Sequence, residues 1–539
     1  MTPPASDPAR KRPGTLRSLA LAMRSWRTAA VVLLNFSSGM PLGLVWVAIP
    51  DWMRKIGVDI RVVGLITLAQ APWIFKFLWA PLMDRYVPPW LGRRRGWAAL
   101  AQVALFALTL SLAGVGQHPQ AVWVVGALAL AIAFASATQD IAIDAYAVDV
   151  LRPEEQGVAV GAKTAMYRAG MTLAGGFAIT LAGRYSWPAV NVGLALLYLP
   201  MLVISWKAPE PAAVAAPRRL RDAVWLPFLD LVARPRALEI LAFVLLYKLS
   251  DQLAQSLQRP FLVEMGYSDF DRGVALTTVG LVGTLGGVFL GGSLTTLLGL
   301  GRALWIFGIL QMSSNAGYVL LALEGRVNRP LMYGAIGFET FAAGLGTGAF
   351  SVLLLRLTRR RFSATQYALL SSLFSLPRLV SGPICGFAVD AVGWTSFFWF
   401  AIAAGLPGLL LLSRFVPLGT REPDLHVEET DEAVEAVRRA RLPTARLVVR
   451  GLAAGAIGGA FAAGVAALLP ALKAMKPAAG HPGRPFDMLA PLAALAAPRD
   501  AGTWLTLAGV LTFGAACGLL AAAVAAARHG MARQTETPD

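Results

Sequence analysis

Ionisable side chains in the middle of long apolar segments are the residues of this sequence best suited to chemistry. Lys248 and Asp251 lie three residues apart, so a helix places them on one face, and Gln255 and Gln258 continue that face. Glu339 lies near the middle of another apolar segment. Charges in a membrane interior are costly and mark either a functional site or an internal ion pair. We expect substrate binding or proton coupling here, with ion pairs that fix helix register as the alternative.

Arg378 lies at a similar depth in a further apolar segment, directly after Pro377, where a helix tends to kink. Secondary transporters bind their substrates near the membrane midplane, at interrupted helices. We therefore include Arg378 with Lys248, Asp251 and Glu339 among the substrate or proton-coupling candidates.

A second group of charges lies in the first half of the chain. Asp140 and Asp144 are one helical turn apart and share a face, and Gln139 precedes them. Lys163 and Arg168 follow at the start of the next apolar segment, so opposite charges on neighbouring helices predict ion pairing. This group lies toward one membrane surface. A gate between domains is therefore an alternative to a substrate or proton role.

Lys76 could join this charged group or extend its ammonium toward the headgroups, and we favour pairing. Trp46, Trp73 and Trp79 are able to stack on sugar rings, but for any single one we favour anchoring at the membrane interface.

The composition defines the elements that must position these residues. The 539 residues are 56% hydrophobic and 15% charged, whereas soluble proteins have about 25% charged residues. The net charge of +17 is spread between apolar segments, which indicates basic cytoplasmic loops of a multi-pass membrane protein rather than a nucleic-acid-binding domain. Nucleophile motifs, metal-ligand spacings and a Walker loop are missing, so we expect neither an enzyme nor a bound metal or cofactor.

Apolar segments of about 20 residues are long enough to span a membrane as helices, and we count about fourteen of them. They cover 29–49, 61–82, 97–116, 121–143, 158–183, 187–206, 237–262, 272–297, 302–322, 329–354, 362–388, 394–414, 450–471 and 502–527. When the connections between these segments are numbered in chain order, the even-numbered ones are basic or long, as cytoplasmic loops are. Both termini are then predicted to be cytoplasmic.

The long connection 207–236 is rich in proline, alanine and arginine and divides the first twelve segments into six and six. The sequence predicts an all-α membrane protein with two six-helix halves and two extra C-terminal helices. The expected divisions are a basic tail 1–28, a half 29–206, a linker 207–236, a half 237–414, a charged linker 415–449, two helices 450–527 and a tail 528–539.

The connection between the second and third segments carries Asp84-Arg85 and then Gly92-Arg93-Arg94-Arg95. This sequence resembles the signature of the major facilitator superfamily, with four extra residues, 88–91, before the glycine. The resemblance implies that Asp84, Arg85, Arg93, Arg94 and Arg95 clasp helix ends and set the facing of the cavity without contacting substrate.

Motifs in order over residues 30–415 are similar to the AmpG permease family of the same superfamily. They are NFSSGMPLGL (35–44), GLITLAQAPWIFKFLWAPLMDR (64–85), LGRRRGW (91–97), ATQDIAIDAYAVDVLRPEEQG (137–157), YKLSDQL (247–253), GTGAFSVLLL (346–355) and FSATQYALLSSL (362–373). The resemblance implies import of anhydro-muropeptides with protons across a bacterial inner membrane. It also implies that Arg168, Lys248 and Arg378 bind the carboxylates of this cargo.

The hypothesis is alternating access, in which Asp251, Glu339 or Asp140 takes a proton from outside and frees a basic partner for the anionic cargo. The same broad group includes acetyl-CoA transporters, so a transporter of acetyl-CoA, a drug or a lipid-like molecule is the alternative. A membrane sensor that does not transport is the alternative of another class.

Overall fold

The computed structural model is helical, and the residues that it describes contain no strand. The described residues are 24–58, 69, 71–115, 121–211, 216–217, 219–234, 236–425, 444–475, 485–499 and scattered positions between 503 and 525. Nine of the described helices are long and apolar enough to cross a membrane. The all-α membrane class predicted from composition is confirmed.

The described chain divides into two compact units. Residues 1–224 with 239–427 form the first unit, and residues 225–238 with 428–539 form the second. The tails before 24 and after 525 and most of the linker 415–449 lie outside the described residues, as do all four histidines.

The first half of the larger unit contains six helical segments, α1 to α6. They are α1 (Trp26–Lys55), α2 (Ala71–Phe75, Lys76–Leu78 and Ala80–Arg85), α3 (Arg93–Ala113), α4 (Val122–Val150), α5 (Pro153–Thr172, Leu173–Phe177 and Ala178–Arg184) and α6 (Trp187–Lys207). Most of the predicted beginning of the second span, 61–70, lies outside the described residues.

The second half follows a linker helix, Leu220–Ala233. Its segments are α7 (Ala237–Leu246 and Leu249–Glu264), α8 (Asp269–Leu298), α9 (Leu300–Glu324), α10 (Arg329–Leu357), α11 (363–391) and α12 (Val392–Phe415). The chain kinks at Gly393, the second residue of α12, with a φ of 78° that glycine adopts without strain.

Several of these segments are interrupted where the sequence predicts continuous helices. A 3₁₀ turn, Lys76–Leu78, breaks α2, and a turn at residues 247–248 breaks α7. The segments α1, α5 and α8 each contain a π-helical stretch, such as Leu44–Ala48 in α1. Interruptions at membrane depth persist where the backbone is buried in protein or lines a cavity. The periodicity of the apolar residues does not reveal them.

Glycines allow the two halves to approach closely between α5 and α8. A Cβ added at Gly157 would lie 2.2 Å from the carbonyl oxygen of Gly292, and one at Gly161 would lie 2.7 Å from the Cα of Phe289. Small residues at such crossings let membrane helices pack backbone to backbone. The halves are therefore in direct contact where α5 begins and α8 ends.

The second unit contains the helix Thr444–Met475 and the short helix Leu489–Ala496. The described residues between 503 and 525 are also helical, and the Cβ of a residue at Gly455 would lie 3.1 Å from the carbonyl oxygen of Gly514. Two additional membrane helices in this region stay a prediction.

Candidate functional site

The break in α7 holds a buried lysine with three acceptors. Lys248 lies at the break itself, with a non-helical φ of −103° and ψ of 8°. Its Nζ donates to Asp251 Oδ2 at 2.6 Å, to Gln311 Oε1 at 2.8 Å and to the carbonyl oxygen of Ala343 at 2.8 Å. Gln311 Nε2 in turn donates to the carbonyl of Tyr247, which the break frees from the helix. The lysine thus joins α7, α9 and α10.

Asp251 differs from the expectation in one respect. It belongs to the first turn of the second piece of α7, which begins at Leu249, rather than to an uninterrupted helix that also contains Lys248. A carboxylate in the first turn interacts favourably with the helix dipole. The ion pair with Lys248 and the helix terminus therefore both stabilise the ionised Asp251, which is 2% exposed.

Glu339 on α10 is fully buried and is held by neutral groups. Gln255 Nε2 donates to its Oε1 at 2.8 Å, and the Tyr318 hydroxyl donates to its Oε2 at 3.2 Å. Gln258 donates to the same Tyr318 hydroxyl. No lysine or arginine lies within ion-pair distance of Glu339 in the described part of the chain. Because a hydroxyl both donates and accepts, Tyr318 can serve either protonation state of the carboxyl.

A polar cavity of about 220 Å³ lies in the first half, among α1, α2, α4 and α5. Its lining residues are Asn35, Ser38, Lys76, Asp140, Asp144, Lys163, Thr164 and Tyr167. Asp144 accepts from Lys163 at 2.9 Å and lies 3.7 Å from the Lys76 ammonium. The Lys163 ammonium also lies 5.5 Å from the ring centroid of Tyr367 on α11, across the boundary between the halves.

The structure brings Lys76, Asp140, Asp144 and Lys163 together, as opposite charges on neighbouring helices suggest, but the two carboxylates differ. Asp144 has two lysine partners, whereas Asp140 Oδ1 is buried and has no hydrogen-bond donor among the described residues. Gln139 lies elsewhere, because its amide donates to the buried Ser37 hydroxyl between α1 and α4.

The acidic residue of the basic connection contacts the other half of the protein. Asp84 is fully buried at the end of α2, and its Oδ2 accepts from the backbone N–H of Thr365 at 2.8 Å and from its hydroxyl at 2.6 Å. Its Oδ1 accepts from the N–H of Ala364 at 3.3 Å. These groups form the start of α11, whose own preceding residue Phe362 provides no side-chain cap. Asp84 therefore caps a helix that begins 279 residues later.

The arginines that follow complete this contact. Arg94, 1% exposed, donates to Asp84 Oδ1 at 2.6 Å, to Asp149 Oδ2 at 3.0 Å and to the Ser363 hydroxyl at 2.6 Å. Arg93 donates to the carbonyls of residues 360 and 361 at 2.9 and 3.1 Å. Buried charges with this many partners define a rigid joint.

The remaining two residues of the expected clasp face elsewhere. Arg95 donates to the carbonyl of Ala208 at 2.6 Å and pairs with Glu210, both in the connection that follows α6. Arg85 lies 5.4 Å from the ring centroid of Tyr86. The clasp between the halves therefore consists of Asp84, Arg93 and Arg94.

One further predicted site residue lies apart from both polar clusters, and another is described by its backbone alone. Arg168 on α5 is exposed, and its Nη1 donates to the sulfur of Met171 at 4.0 Å. Arg378 lies on α11, and its side chain is outside the described residues. Sequence reasoning missed Gln311, Tyr318 and Thr365, although a glutamine in the middle of apolar span 302–322 was a visible signal.

Two six-helix halves that meet through α2–α11 and α5–α8, with charged clusters buried in each half, define a secondary transporter of the major facilitator type. The family model of the Major Facilitator Superfamily matches residues 31–382, so the chain belongs to this superfamily.

Within the superfamily the chain belongs to the AmpG permease family. It is 41% identical over 389 residues to the anhydromuropeptide permease of Escherichia coli strain K12, which covers 72% of this chain and 79% of the relative. A putative transporter AmpG 4 of Rickettsia felis is 29% identical over 401 residues, covering 72% and 96%.

Solved structures show the same fold at low identity. A bacterial homologue of the iron transporter ferroportin, in an outward-facing state, gives a TM-score of 0.54 at 16% identity, covering 72% of this chain and 98% of that one. The proton:xylose symporter XylE gives a TM-score of 0.54 at 12% identity, covering 78% and 99%. The major facilitator fold is thereby confirmed.

Proposed function

We propose that this protein imports anhydro-muropeptides across a bacterial inner membrane by proton-coupled alternating access. The relationship with the Escherichia coli permease over most of both chains is the observation that carries the cargo class. The expected chemistry of such a cargo, sugars joined to a peptide with carboxylates, is compatible with the amides and hydroxyls of the two clusters and with arginines on the membrane-spanning segments.

The contacts divide the four carboxyls of the two polar clusters into two kinds. Asp144 and Asp251 form ion pairs with lysines at 2.9 and 2.6 Å, and breaking such a buried pair is costly. Asp140 and Glu339 lack a cation within ion-pair distance among the described residues. A carboxyl without a paired cation can gain or lose a proton while the surrounding ion pairs stay intact. We infer that Glu339 and Asp140 carry the coupling proton.

Glu339 is the better placed of the two for a proton from outside. Its partner Gln255 is exposed, and Gln258 connects through Tyr318 further along α7 toward the end at Glu264, which the charge pattern predicts to be extracellular. When Glu339 is ionised, its charge adds to that of Asp251 near the Lys248 ammonium. Protonation removes this second charge and so alters the balance that holds Lys248 at the break in α7.

The test of this proposal is uptake of labelled anhydro-muropeptide by cells that lack other importers, under an imposed proton gradient. Uptake should exceed the empty-vector level and should increase with the inward gradient. Glu339→Gln keeps both hydrogen-bond partners but cannot ionise, so it should remove the dependence on the gradient. Tyr318→Phe retains the carboxyl and should keep that dependence. Uptake at the empty-vector level under every gradient would disprove the cargo.

A further inference from the structure

Two arginines that lie more than one helical turn from the ends of their membrane-spanning segments have no acidic partner among the described residues, and they lie in different halves. Arg168 is on α5 in the first half and Arg259 is on α7 in the second, and both side chains are exposed. The buried lysines of the same segments differ, because Lys163 and Lys248 are each neutralised by an aspartate.

The depth of Arg168 requires that it face water. It lies midway between Pro153 and Arg184, the ends of α5, and a rise of 1.5 Å per residue puts it roughly 23 Å from each end. An arginine at that depth without a counter-ion is too costly to face lipid and too far from the headgroups to reach them. Its immediate neighbour Tyr167 lines the polar cavity of the first half. Arg168 therefore faces water within the protein rather than lipid.

The position of Arg259 is defined by the polar face that contains it. Gln252, Gln255 and Arg259 follow one another at spacings of three and four residues, so they share one side of α7. Gln252 donates to the carbonyl of Phe374 on α11, and Gln255 donates to Glu339 on α10. This side is thus turned toward neighbouring helices rather than lipid, and Arg259 lies one turn beyond Gln255 toward the outer end.

We propose that Arg168 and Arg259 bind the carboxylates of the cargo, one from each half, and that the lysines do not. This inference rests on the proposed import of anhydro-muropeptides. An arginine without an ion pair can bind a carboxylate in bidentate geometry, with two parallel hydrogen bonds. Lys248 already donates to three acceptors and Lys163 to Asp144, so neither has its charge free. Cargo that touches both arginines would connect the halves.

The experiment compares Arg168→Gln and Arg259→Gln with Arg184→Gln, a matched control because Arg184 is an exposed arginine at the end of α5. Uptake is measured as a function of concentration for anhydro-muropeptide and for the same compound with its carboxylates amidated. Loss of one charge-assisted contact should raise KM for the native cargo roughly tenfold or more in both test variants. Arg184→Gln should behave like the parent.

The amidated cargo separates recognition from a structural role. The parent should bind it weakly, and Arg168→Gln and Arg259→Gln should lose most of their discrimination between the two compounds. Arg168→Lys and Arg259→Lys should recover part of it. Unchanged KM values, or equal losses for both compounds, would overturn the inference.

A second measurement does not depend on transport. Each purified variant is mixed with native or amidated cargo, and the melting temperature is recorded, since a ligand that binds the folded state raises it. Absence of uptake by the parent would reject the proposed function alone. Equal stabilisation of the parent and both glutamine variants by the native cargo would reject the arginine sites.

Discussion

The joint between Asp84 and the start of α11 leads to a quantitative prediction for Asp84→Asn. The carboxylate accepts from two backbone N–H groups, the Thr365 hydroxyl and two arginines, across both halves. An asparagine keeps one acceptor oxygen and places an amide donor against the remaining donors. Hydrogen bonds to a buried charge contribute about 1.5–3 kcal/mol each, and removing one partner of a buried ion pair costs about 3–5 kcal/mol.

We use the lower value, about 3 kcal/mol, because Arg94 retains Asp149 at 3.0 Å after the substitution. The contact exists only while this end of the two halves is closed, so its loss should reduce the ratio of closed to open molecules by about 100-fold. Thr365→Val removes a single hydrogen bond and should give a smaller shift, about tenfold.

The assay is a distance measurement between spin labels at Glu154 and Leu418, which are exposed residues at the same end of the first and second halves. The background replaces Cys385 and Cys517 by alanine, and the labelled parent must retain uptake. Asp84→Asn should add a longer distance as the dominant population. Asp51→Asn is the control, because Asp51 pairs with Lys55 inside α1 at 3.0 Å. A distance distribution for Asp84→Asn that matches the parent would refute the reasoning.

Three further substitutions test other parts of the structure. Lys248→Met should leave Asp251 buried without its cation and lower the free energy of unfolding by about 3–5 kcal/mol. Thermal unfolding in detergent measures this loss. Adding Asp251→Leu should restore stability without restoring uptake. Gly292→Ala should place a Cβ 2.2 Å from the carbonyl oxygen of Gly157 and force α5 and α8 apart, so uptake should fall severalfold or more. Gly176→Ala is the control and should transport normally, because a Cβ at Gly176 would have no atom within 4 Å. Gln311→Leu should lower the free energy of unfolding by about 1–3 kcal/mol, because the Tyr247 carbonyl and the Lys248 ammonium each lose a partner. A variant with the parent's melting temperature would contradict the stabilising role of Gln311 at the break in α7.

Much of this architecture could be predicted from the sequence, because composition and apolar length are local properties. The spacing of Lys248 and Asp251 predicts their contact, since residues three apart on a helix are neighbours. The contact of Asp84 with Thr365 could not be predicted from spacing, because the two residues are 281 positions apart and meet only through the packing of the two halves. The break at Lys248 was also hidden, because the Gln311 amide that stabilises the freed carbonyl of Tyr247 lies on another helix.

The same reasoning explains why charged residues alone were ambiguous as site candidates. Each buried charge in the sequence was compatible with a structural ion pair or with chemistry, and only its partners decide between them. Lys163 and Lys248 have aspartates within 3 Å, so their charges hold helices together. Glu339 has only amide and hydroxyl partners in the described structure, and Arg259 has no acidic one. A transporter needs groups whose charge or contact changes during the cycle, and a residue already neutralised by its neighbour is poorly suited to that. The residues to test first for transport are therefore those that the fold leaves without an ion-pair partner.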